Sequence, residues 1–337
     1  MFGSFGGKLR VLTSGVTGPV EALNGDGSVF STLSPACPGA DCAALAPYRP
    51  SDSLTVTLTG QGGLGDLRGT GTPQFLQSST GASSITAALG EAGQAALPQV
   101  YAKAWNVADG SVVGGFPRRQ DGFPFYTAPL AADLAADGTR QVIESNDSYW
   151  VHAFSVNGGE APGFPKYTGQ WPSFSGVVGD PQLNGRQRLF YGTREGSVFV
   201  WNVRGDTTHN DSWWHYRHDE RNTGLYGLDT RRPAAIDDLR RGPGPGVTLT
   251  WTAPGSDYQV GKAARYDIRV SSSPISESGF WQAHEVAGAP TPGPAGTRES
   301  LALTPPRPGR LFVAVRTLDA AGNASALSKV VRIAGPP

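Results

Sequence analysis

Short apolar runs separated by glycine-containing turn dipeptides recur along the first two thirds of the chain. Of all the features of the sequence, this recurrence places the strongest constraint on the fold. One run is followed by Asp137-Gly138 and the next by Gly158-Gly159. After a shift of 47 residues, Gly179-Asp180 occupies the place of Ala132-Asp133. Dipeptides of the Asp-Gly, Asn-Gly and Gly-Gly kinds favour the tight turns of β-hairpins. The sequence therefore predicts repeated units of short antiparallel strands.

The length and content of the repeat predict the fold class, which is all-β. Units of about 40–50 residues with four strands each are typical of the blades of a β-propeller. We predict a partial propeller of about four blades over residues 1–230, with an insertion at about 80–97, where the second unit is longer. Every residue from 198 to 201 is apolar, which predicts a strand buried on both faces.

Composition and charge exclude several classes of protein. The 337 residues include 46 glycines and 27 prolines, which is incompatible with a bundle of long helices. Lys and Arg (28) balance Asp and Glu (28), and no basic block is present. Because binding to a phosphate backbone needs an excess of basic side chains, this balance argues against a nucleic-acid partner. No run of 18 apolar residues occurs, so no membrane span is expected.

The repeat stops near residue 231, and a different strand pattern follows to residue 337. Val247, Leu249 and Trp251 alternate with threonines, and Tyr266 begins a second alternating run. A period of two is expected where one face of a strand is buried. About seven such short strands in about 105 residues predict a β-sandwich.

The repeat region resembles a known group of repeats. Asp133-Leu134, Asp137-Gly138 and Val142-Ile143 are followed by an apolar strand and by Gly163-Phe164-Pro165. This order resembles the FG-GAP/VCBS-type and PQQ-like β-propeller repeats of secreted bacterial proteins. Residues 213–226, with the pattern Trp-x-x-x-x-His-Asp-x-x-x-Thr-Gly, are similar to the signature that borders such propellers. The resemblance covers roughly residues 8–228.

Residues 234–334 resemble another family, the fibronectin type III domains. The resemblance is carried by the strands of Trp251 and Tyr266, and by the Val-Arg-Thr-x-Asp-x-x-Gly-Asn-x-Ser segment that begins at Val315. Together the two resemblances imply a non-catalytic binding or scaffold module. They imply the C-terminal part of a larger secreted or cell-surface bacterial protein, where it would make protein or glycan contacts beside a hydrolase.

The implied position in a larger secreted protein determines which partners and which alternative functions we expect. No signal peptide is visible at the start of the sequence, so we expect that lost upstream chain carried it, together with further blades and domains that are the partners of this module. One alternative function is a propeller enzyme with a site on its axis. Another is a calcium-dependent adhesin. No nucleophile elbow, phosphate loop or dinucleotide fingerprint is present, so no catalytic residue is predicted.

Calcium is the one cofactor that the repeat suggests. FG-GAP-like loops supply several carboxylates from a single turn, and the loop from Asp133 keeps the first and fifth of these positions, at Asp133 and Asp137. Ala135 and Gln141 occupy two other ligand positions. The alternative is that both aspartates only form the turn by accepting backbone hydrogen bonds. The prediction is therefore no cofactor, with Asp133 and Asp137 as the calcium candidates.

Three further groups of residues are candidates for specific roles. Trp171, in Gly169-Gln170-Trp171-Pro172, is the candidate for stacking on a glycan. Cys37 and Cys42 flank a Pro-Gly turn and are predicted to form a disulfide, with free thiols as the alternative. His215, His218 and Asp219 have a spacing that could bind zinc, but a structural role in the border segment is the favoured interpretation.

Overall fold

The computed structural model describes residues 1–5, 7–14, 20–33, 55–56, 62–81, 100–182, 186–205, 212–244 and 246–335. The protein is all-β, with several small, mainly antiparallel sheets, and the described residues contain one short 3-10 helix, Phe280–Gln282, and no α-helix. The chain divides into two compact units. The N-terminal unit comprises Met1–Gly179 and Gln187–Leu228, and the C-terminal unit comprises Asp180–Arg186 and Asp229–Pro337.

The described strands of the N-terminal unit form four sheets. The first has the order β17-β1-β2-β3-β4, the second joins β5 and β6 to β7-β8-β9, the third is β10-β11-β12-β13 and the fourth is β14-β15-β16. The strands are β1 (Phe2–Phe5), β2 (Lys8–Ser14), β3 (Val20–Leu23), β4 (Val29–Leu33), β5 (Thr55–Val56), β6 (Gly63–Gly65), β7 (Gln74–Gly81), β8 (Val100–Asn106), β9 (Arg118–Gln120), β10 (Leu130–Ala132), β11 (Gln141–Ser145), β12 (Trp150–Phe154), β13 (Lys166–Tyr167), β14 (Val177–Gly179), β15 (Arg188–Gly192), β16 (Val198–Asn202) and β17 (Leu225–Tyr226).

The third and fourth sheets have the same register, displaced by 47 residues. The cross-strand pairs Leu130↔Ile143 and Val142↔Phe154 of the third sheet recur in the fourth as Val177↔Phe190 and Leu189↔Trp201. The 47-residue repeat predicted from the sequence is thus confirmed at the level of strand pairing. Equivalent residues point to equivalent faces of the two sheets.

The second sheet follows the same register and locates an insertion. Gly63↔Leu76 corresponds to Leu130↔Ile143 at a shift of 67 residues. Phe75↔Trp105 corresponds to Val142↔Phe154 at shifts of 67 for the first residue and 49 for the second. The difference of 18 residues lies between β7 and β8, where the sequence predicted the insertion at about 80–97. Residues 82–99 are outside the described part of the chain.

One prediction about burial is wrong. The apolar residues 198–201 form β16, but only Phe199 and Trp201 face the neighbouring sheet, while Val198 and Val200 are exposed. The physical reason is the position of β16 within the N-terminal unit. β16 belongs to the last of the four sheets of the N-terminal unit, and no further sheet of that unit follows it within the described residues. An all-apolar strand predicts burial on both faces only if both faces have a neighbour.

The C-terminal unit has a three-stranded sheet and a four-stranded sheet with one shared core. The strands are β18 (Arg240–Arg241), β19 (Val247–Thr252), β20 (Arg265–Ser271), β21 (His284–Glu285), β22 (Arg298–Leu303), β23 (Arg310–Leu318) and β24 (Val331–Ala334), in the orders β18-β19-β22 and β21-β20-β23-β24. Trp251 from the first sheet and Tyr266 from the second are both buried, and their rings meet edge to face at 5.1 Å. The predicted alternation of β19 is confirmed, since Val247, Leu249 and Trp251 are all buried.

Candidate ligand-binding face

One end of the third and fourth sheets carries a concentration of aromatic side chains. Strands alternate in direction, so the β11–β12 and β15–β16 turns lie at the same end as the connections that leave β9 and β13. We call this end the aromatic face and define it by the aromatic residues of three of these segments and of the adjoining ends of β12 and β13: Phe123, Phe125, Tyr126, Tyr149, Trp150, Tyr167, Trp171 and Phe174.

Backbone and side-chain hydrogen bonds tie three of these segments together. Phe123 and Asp147 are joined twice, because the Phe123 amide donates to the Asp147 carboxylate at 2.8 Å and the Asp147 amide donates to the Phe123 carbonyl at 3.1 Å. Asn146 donates its amide hydrogen to Asp121 at 2.6 Å. The Ala128 amide donates to the Ser175 hydroxyl at 2.7 Å. These contacts hold the aromatic rings on a preformed surface rather than on independent loops.

Two exposed tyrosines of this face have a strained backbone. Tyr126 and Tyr149 have φ values of 57° and 71°, in the left-handed region that residues with a side chain rarely adopt. The exposed rings gain little burial that would offset the strain. Such strain at an exposed aromatic residue is typical of binding sites, where the surrounding structure holds a side chain in position for a partner.

The exposed rings form a continuous contact series along the end of the third sheet. The ring of Tyr167 lies 4.7 Å from that of Trp150 and 6.4 Å from that of Tyr149. Tyr167 and Tyr149 are exposed, so their outer surfaces can accept a flat ligand. The sequence analysis missed both residues. The signal that could have found them is the tyrosine at the end of the Asn146-Asp147-Ser148 turn, a position where glycine is more usual.

Trp171, the residue predicted from the sequence, lies within the face but is partly covered. Its amide donates to the Glu195 carboxylate at 3.0 Å, and its carbonyl accepts from the Arg194 amide at 2.8 Å. The Arg194 guanidinium lies 5.4 Å from the centre of the Trp171 ring, and the Phe125 ring meets its edge at 6.0 Å. Trp171 therefore supports the face, and the exposed tyrosines offer more free ring surface than it does.

His152, on β12, lies between two carboxylates. His152 Nδ1 is 2.5 Å from Glu160, and Nε2 is 3.3 Å from Asp121. Burial disfavours the protonated ring, but the hydrogen bond and charge of Glu160 and the charge of Asp121 outweigh it, so the pKa of His152 is raised. Asp147 is also affected: burial raises the pKa of its carboxyl group.

The two calcium candidates adopt the geometry of turn residues. The carboxylate of Asp133 accepts hydrogen bonds from the amides of Ala135, Ala136 and Gly138, at 2.9, 2.7 and 3.2 Å. Gln141 completes the loop, because its side-chain oxygen accepts from the Leu134 amide at 2.7 Å. Lone pairs that accept backbone amides are not free for a cation. These contacts match the turn alternative for Asp133.

Asp137 belongs to a recurring Asp-Gly-Ser/Thr turn. Its Oδ1 accepts from the amide and the hydroxyl of Thr139, at 2.9 and 2.7 Å. Asp26 and Asp109 make the same two bonds to the serine two residues later, at 2.9 and 2.6 Å in each case. In all three, the hydrogen bond from the hydroxyl lowers the pKa of the carboxyl group. Within the described residues, no group of three or more His, Cys, Asp or Glu side chains is arranged so that it could hold a metal ion.

We expect calcium to leave the stability of the protein unchanged. A cation that binds the folded state stabilises it by RT ln(1 + c/Kd), where c is the concentration of the free cation, and so raises the melting temperature. Because Asp133 and Asp137 are engaged by backbone and hydroxyl donors, thermal unfolding in 5 mM calcium, a concentration chosen to saturate sites of the usual extracellular affinity of about 0.1–1 mM, should coincide with unfolding in excess chelator. A calcium-dependent rise in melting temperature that Asp133→Asn removes would contradict the turn assignment.

The histidine pair of the border segment is structural in this geometry. His218 and Asp219 are buried, with Nδ1 of His218 at 2.9 Å from Asp219. Burial opposes ionisation of Asp219, but hydrogen bonds from Thr223 and His218 outweigh it and lower the pKa of Asp219. The segment also pairs with the third sheet, since Trp213 and Ala131 exchange backbone hydrogen bonds at 2.7 and 2.9 Å. Cys37 and Cys42 lie outside the described residues, and their disulfide stays a prediction.

Comparison of the sequence with known proteins gives one short similarity. No protein-family model matches the chain. A stretch of 94 aligned residues is 32% identical to the human protein "Calcium-activated chloride channel regulator 4". The match takes in 26% of this chain and 10% of that protein, so it concerns a small part of both.

Comparison with solved structures gives only distant similarities. The BBS1N structure, solved in complex with ARL6DN, matches over 99% of this chain and 79% of its own, at 10% identity and a TM-score of 0.32. The extracellular domain of a one-component system from B. thetaiotaomicron matches over 98% of this chain and 35% of its own, at 9% identity and a TM-score of 0.25. At such scores the likeness carries no argument about fold or function. Among the described residues, no helix has the length and apolar character needed to cross a membrane.

Proposed function

We propose that the chain is a non-catalytic glycan-binding module of a secreted or cell-surface protein, with propeller-type blades followed by a fibronectin type III-type sandwich. The blade assignment is supported by the register that three successive sheets share. The sandwich assignment is supported by the three-plus-four strand arrangement of the C-terminal unit around the pair of Trp251 and Tyr266. The module would act beside other domains of its parent protein, and the proposal includes no catalytic residue and no cofactor.

The observation that carries the proposed function is the aromatic face, and above all the exposed rings of Tyr149 and Tyr167. An aromatic ring offers a flat apolar surface of the size of a sugar ring, and the axial C–H groups of a saccharide can pack on it. The hydroxyl groups around a sugar ring need hydrogen-bond acceptors and donors. Asp121, Glu195 and Arg194 lie among the rings and are exposed, so both kinds are available.

Charge narrows the class of glycan. Exposed charged groups beside the rings include two carboxylates, Asp121 and Glu195, and one guanidinium, Arg194. A sulfated or uronic-acid polymer would require a cluster of basic side chains for its anionic groups. The face therefore suits a neutral polysaccharide better than an acidic one.

We expect the double variant Tyr149→Ala, Tyr167→Ala to lose most of its affinity for a neutral polysaccharide. Each tyrosine removed takes away one stacking surface, for which about a tenfold loss is expected. The measurement is retardation of the folded protein in native gels that contain neutral β-glucans, xylan or mannan, with an acidic polymer such as alginate for comparison.

A matched control comes from the C-terminal unit. Trp281 is an exposed aromatic residue that lies outside the aromatic face, and Trp281→Ala should leave retardation unchanged. Equal retardation of wild type and the tyrosine double variant, or no retardation in any neutral polymer, would contradict a glycan-binding role for this face. Stronger retardation by alginate than by the neutral polymers would contradict the charge argument.

A further inference from the structure

The third and fourth sheets enclose a pocket at the end opposite the aromatic face. It opens between the β10–β11 turn, the β12–β13 connection and the residues that follow β16, and we call it the junction pocket. Its volume is about 320 Å³. Leu134 and Ala161 are buried, whereas the rings of Phe164 and Trp201 are half-buried and form part of its walls. Sites for small molecules typically have volumes of about 300–1,000 Å³, so this pocket is large enough for a small ligand.

Two cationic side chains reach the junction pocket, and none of the described residues that line it is anionic. The two are Lys166, which is half-buried, and Arg204, which is exposed. The Lys166 ammonium lies 5.4 Å from the centre of the Phe164 ring. Neither cationic group forms a hydrogen bond or an ion pair with another described residue. Two like charges beside apolar walls, without a counter-charge from the protein, favour the binding of an anion.

The strand register explains why both walls of the pocket face each other. Lys166 is paired with Val151 in the third sheet, and Trp201 with Leu189 in the fourth. Directly paired residues lie on the same side of a sheet. Val151 and Leu189 belong to the core cluster between these two sheets. Lys166 therefore points toward the fourth sheet, and Trp201 points toward the third.

The preceding junction, between the second and third sheets, has the same elements, but there the space beside the basic residue is filled. Residues 115–118 (Gly-Phe-Pro-Arg) correspond to residues 163–166 (Gly-Phe-Pro-Lys) at a shift of 48. The turn at Gly158 packs on Gly115 backbone against backbone, without space for a Cβ atom on either glycine. The same turn lies against Arg118, because a Cβ atom on Gly158 would be 2.8 Å from Cδ of the arginine.

At the junction of the third and fourth sheets, the segment that corresponds to this turn takes another path. The corresponding residues are 203–205, at a shift of 47. The Arg204 amide donates to the Leu134 carbonyl at 3.0 Å, so the segment follows the β10–β11 turn and does not cover Gly163. A Cβ atom on Gly163 would have the Lys166 ammonium as its nearest described neighbour, at 3.6 Å. The repeat thus has an open pocket at a place where its preceding copy is closed.

We propose that the junction pocket binds an aromatic carboxylic acid. The carboxylate lies between the Lys166 ammonium and the Arg204 guanidinium, since hydrogen bonds between ionised groups are roughly twice as strong as those between neutral groups. The flat ring of the ligand packs on Phe164 and Trp201. The volume is at the lower end of the range for small-molecule sites, so the pocket suits a small acid rather than a segment of a polysaccharide. This proposal does not depend on glycan binding by the aromatic face.

The probe that tests the pocket is cinnamate, added to the isotope-labelled chain at pH 7, where a carboxylate is ionised. We expect the amide signals of Gly163, Phe164 and Trp201 to shift with a Kd of about 1 mM or below, while those of Tyr126 and Tyr149 stay in place. Cinnamamide, the neutral analogue, should bind at least about tenfold more weakly because it lacks the charge. Acetate, which has the charge but no ring, should also bind at least about tenfold more weakly.

A double variant tests the two cationic groups. Lys166→Gln with Arg204→Gln should weaken cinnamate binding at least about tenfold, because it removes both partners of the carboxylate. Neither residue belongs to the buried core, so the melting temperature should stay within a few degrees of wild type. Lys262→Gln with Arg265→Gln, an exposed pair in the C-terminal unit, is the matched control and should bind cinnamate as the wild type does.

Four results would overturn the proposal. They are the absence of amide shifts at about 10 mM cinnamate, ten times the highest Kd expected, equal affinity for cinnamamide or acetate, an unchanged Kd in the glutamine variant, and loss of cinnamate binding in the tyrosine double variant of the aromatic face. The last result would place the acid on the aromatic face. Failure of polysaccharide binding would not affect this test, since its readout is the binding of cinnamate alone.

Discussion

Replacing Trp251 by alanine is expected to destabilise the C-terminal unit by about 3–5 kcal/mol. The indole is completely buried between the two sheets of that unit, and it packs edge to face on Tyr266. Removal of the ring loses the favourable free energy of transferring it from water into the core. It also leaves a cavity that the rigid strands β19 and β20 cannot close. The loss is a large fraction of the stability of a domain of this size.

The measurement is urea unfolding of the whole chain, with amide hydrogen exchange read on β19, β20 and β23. Trp281→Ala is the comparison, because that ring is half exposed and packs on Phe280 and two arginines at the surface, so its loss should cost clearly less than the loss of the completely buried Trp251. An unfolding midpoint for Trp251→Ala that equals the wild-type value would refute the assignment of Trp251 to a sandwich core.

Stability of the N-terminal unit is expected to fall between pH 4.5 and pH 7 because of one buried carboxyl group. Glu144 is completely buried on β11, and burial raises its pKa to about 7, against weaker opposing contributions from Ser78, Gln120 and His152. Its pKa in the unfolded chain is 4.5. Between these two values the folded state keeps a proton that the unfolded state has lost, so rising pH favours unfolding.

The size of the effect follows from the two pKa values. Each unit of difference corresponds to about 1.4 kcal/mol, so the full loss attributable to Glu144 is about 3 kcal/mol. The stabilising contribution of Glu144 to folding is complete below pH 4.5 and is lost once the pH has risen through about 7. Glu144→Gln keeps a polar side chain next to Gln120 but cannot ionise, so its stability should lack this decrease.

The difference between the two proteins is the quantity to measure, by urea unfolding at pH 4.5, 6 and 8. At pH 8 the Glu144→Gln variant should be the more stable by about 3 kcal/mol, and at pH 4.5 the two should be nearly equal. The raised pKa of Asp147 adds its own pH dependence to both proteins and cancels in the difference. Parallel stability profiles for wild type and variant would show that Glu144 ionises normally in the folded chain.

Local sequence patterns predicted the strands and turns of this fold well, because local backbone geometry determines both the pattern and the structure. Asp-Gly turns and apolar runs repeat because each hairpin needs the same backbone geometry. The 47-residue spacing of the sequence is the spacing at which the third and fourth sheets repeat the same strand pairs. The alternation around Trp251 predicted which side of β19 is buried. These features depend on the nearest residues and on the two-residue period of a strand.

The exposure of a residue that depends on where its strand lies among the sheets could not be predicted from local sequence patterns. The apolar residues 198–201 predicted two buried faces, but β16 is terminal and Val198 faces solvent. Trp171 was the sequence candidate for stacking on a glycan, and in the structure Arg194 and Phe125 cover part of its ring. In both cases the local sequence is the same whether or not a neighbour is present, so only the complete packing arrangement decides exposure.

The sequence by itself determined that the chain is all-β, that its first part is a repeat of short strands and that its second part has half-buried strands. It determined these features because turn chemistry and strand periodicity are properties of consecutive residues. Only the tertiary structure brought Tyr126, Tyr149 and Tyr167 to one end of the sheets and left Val198 and Val200 of β16 exposed. Those arrangements depend on contacts between segments far apart in the chain, whose energies no local pattern contains.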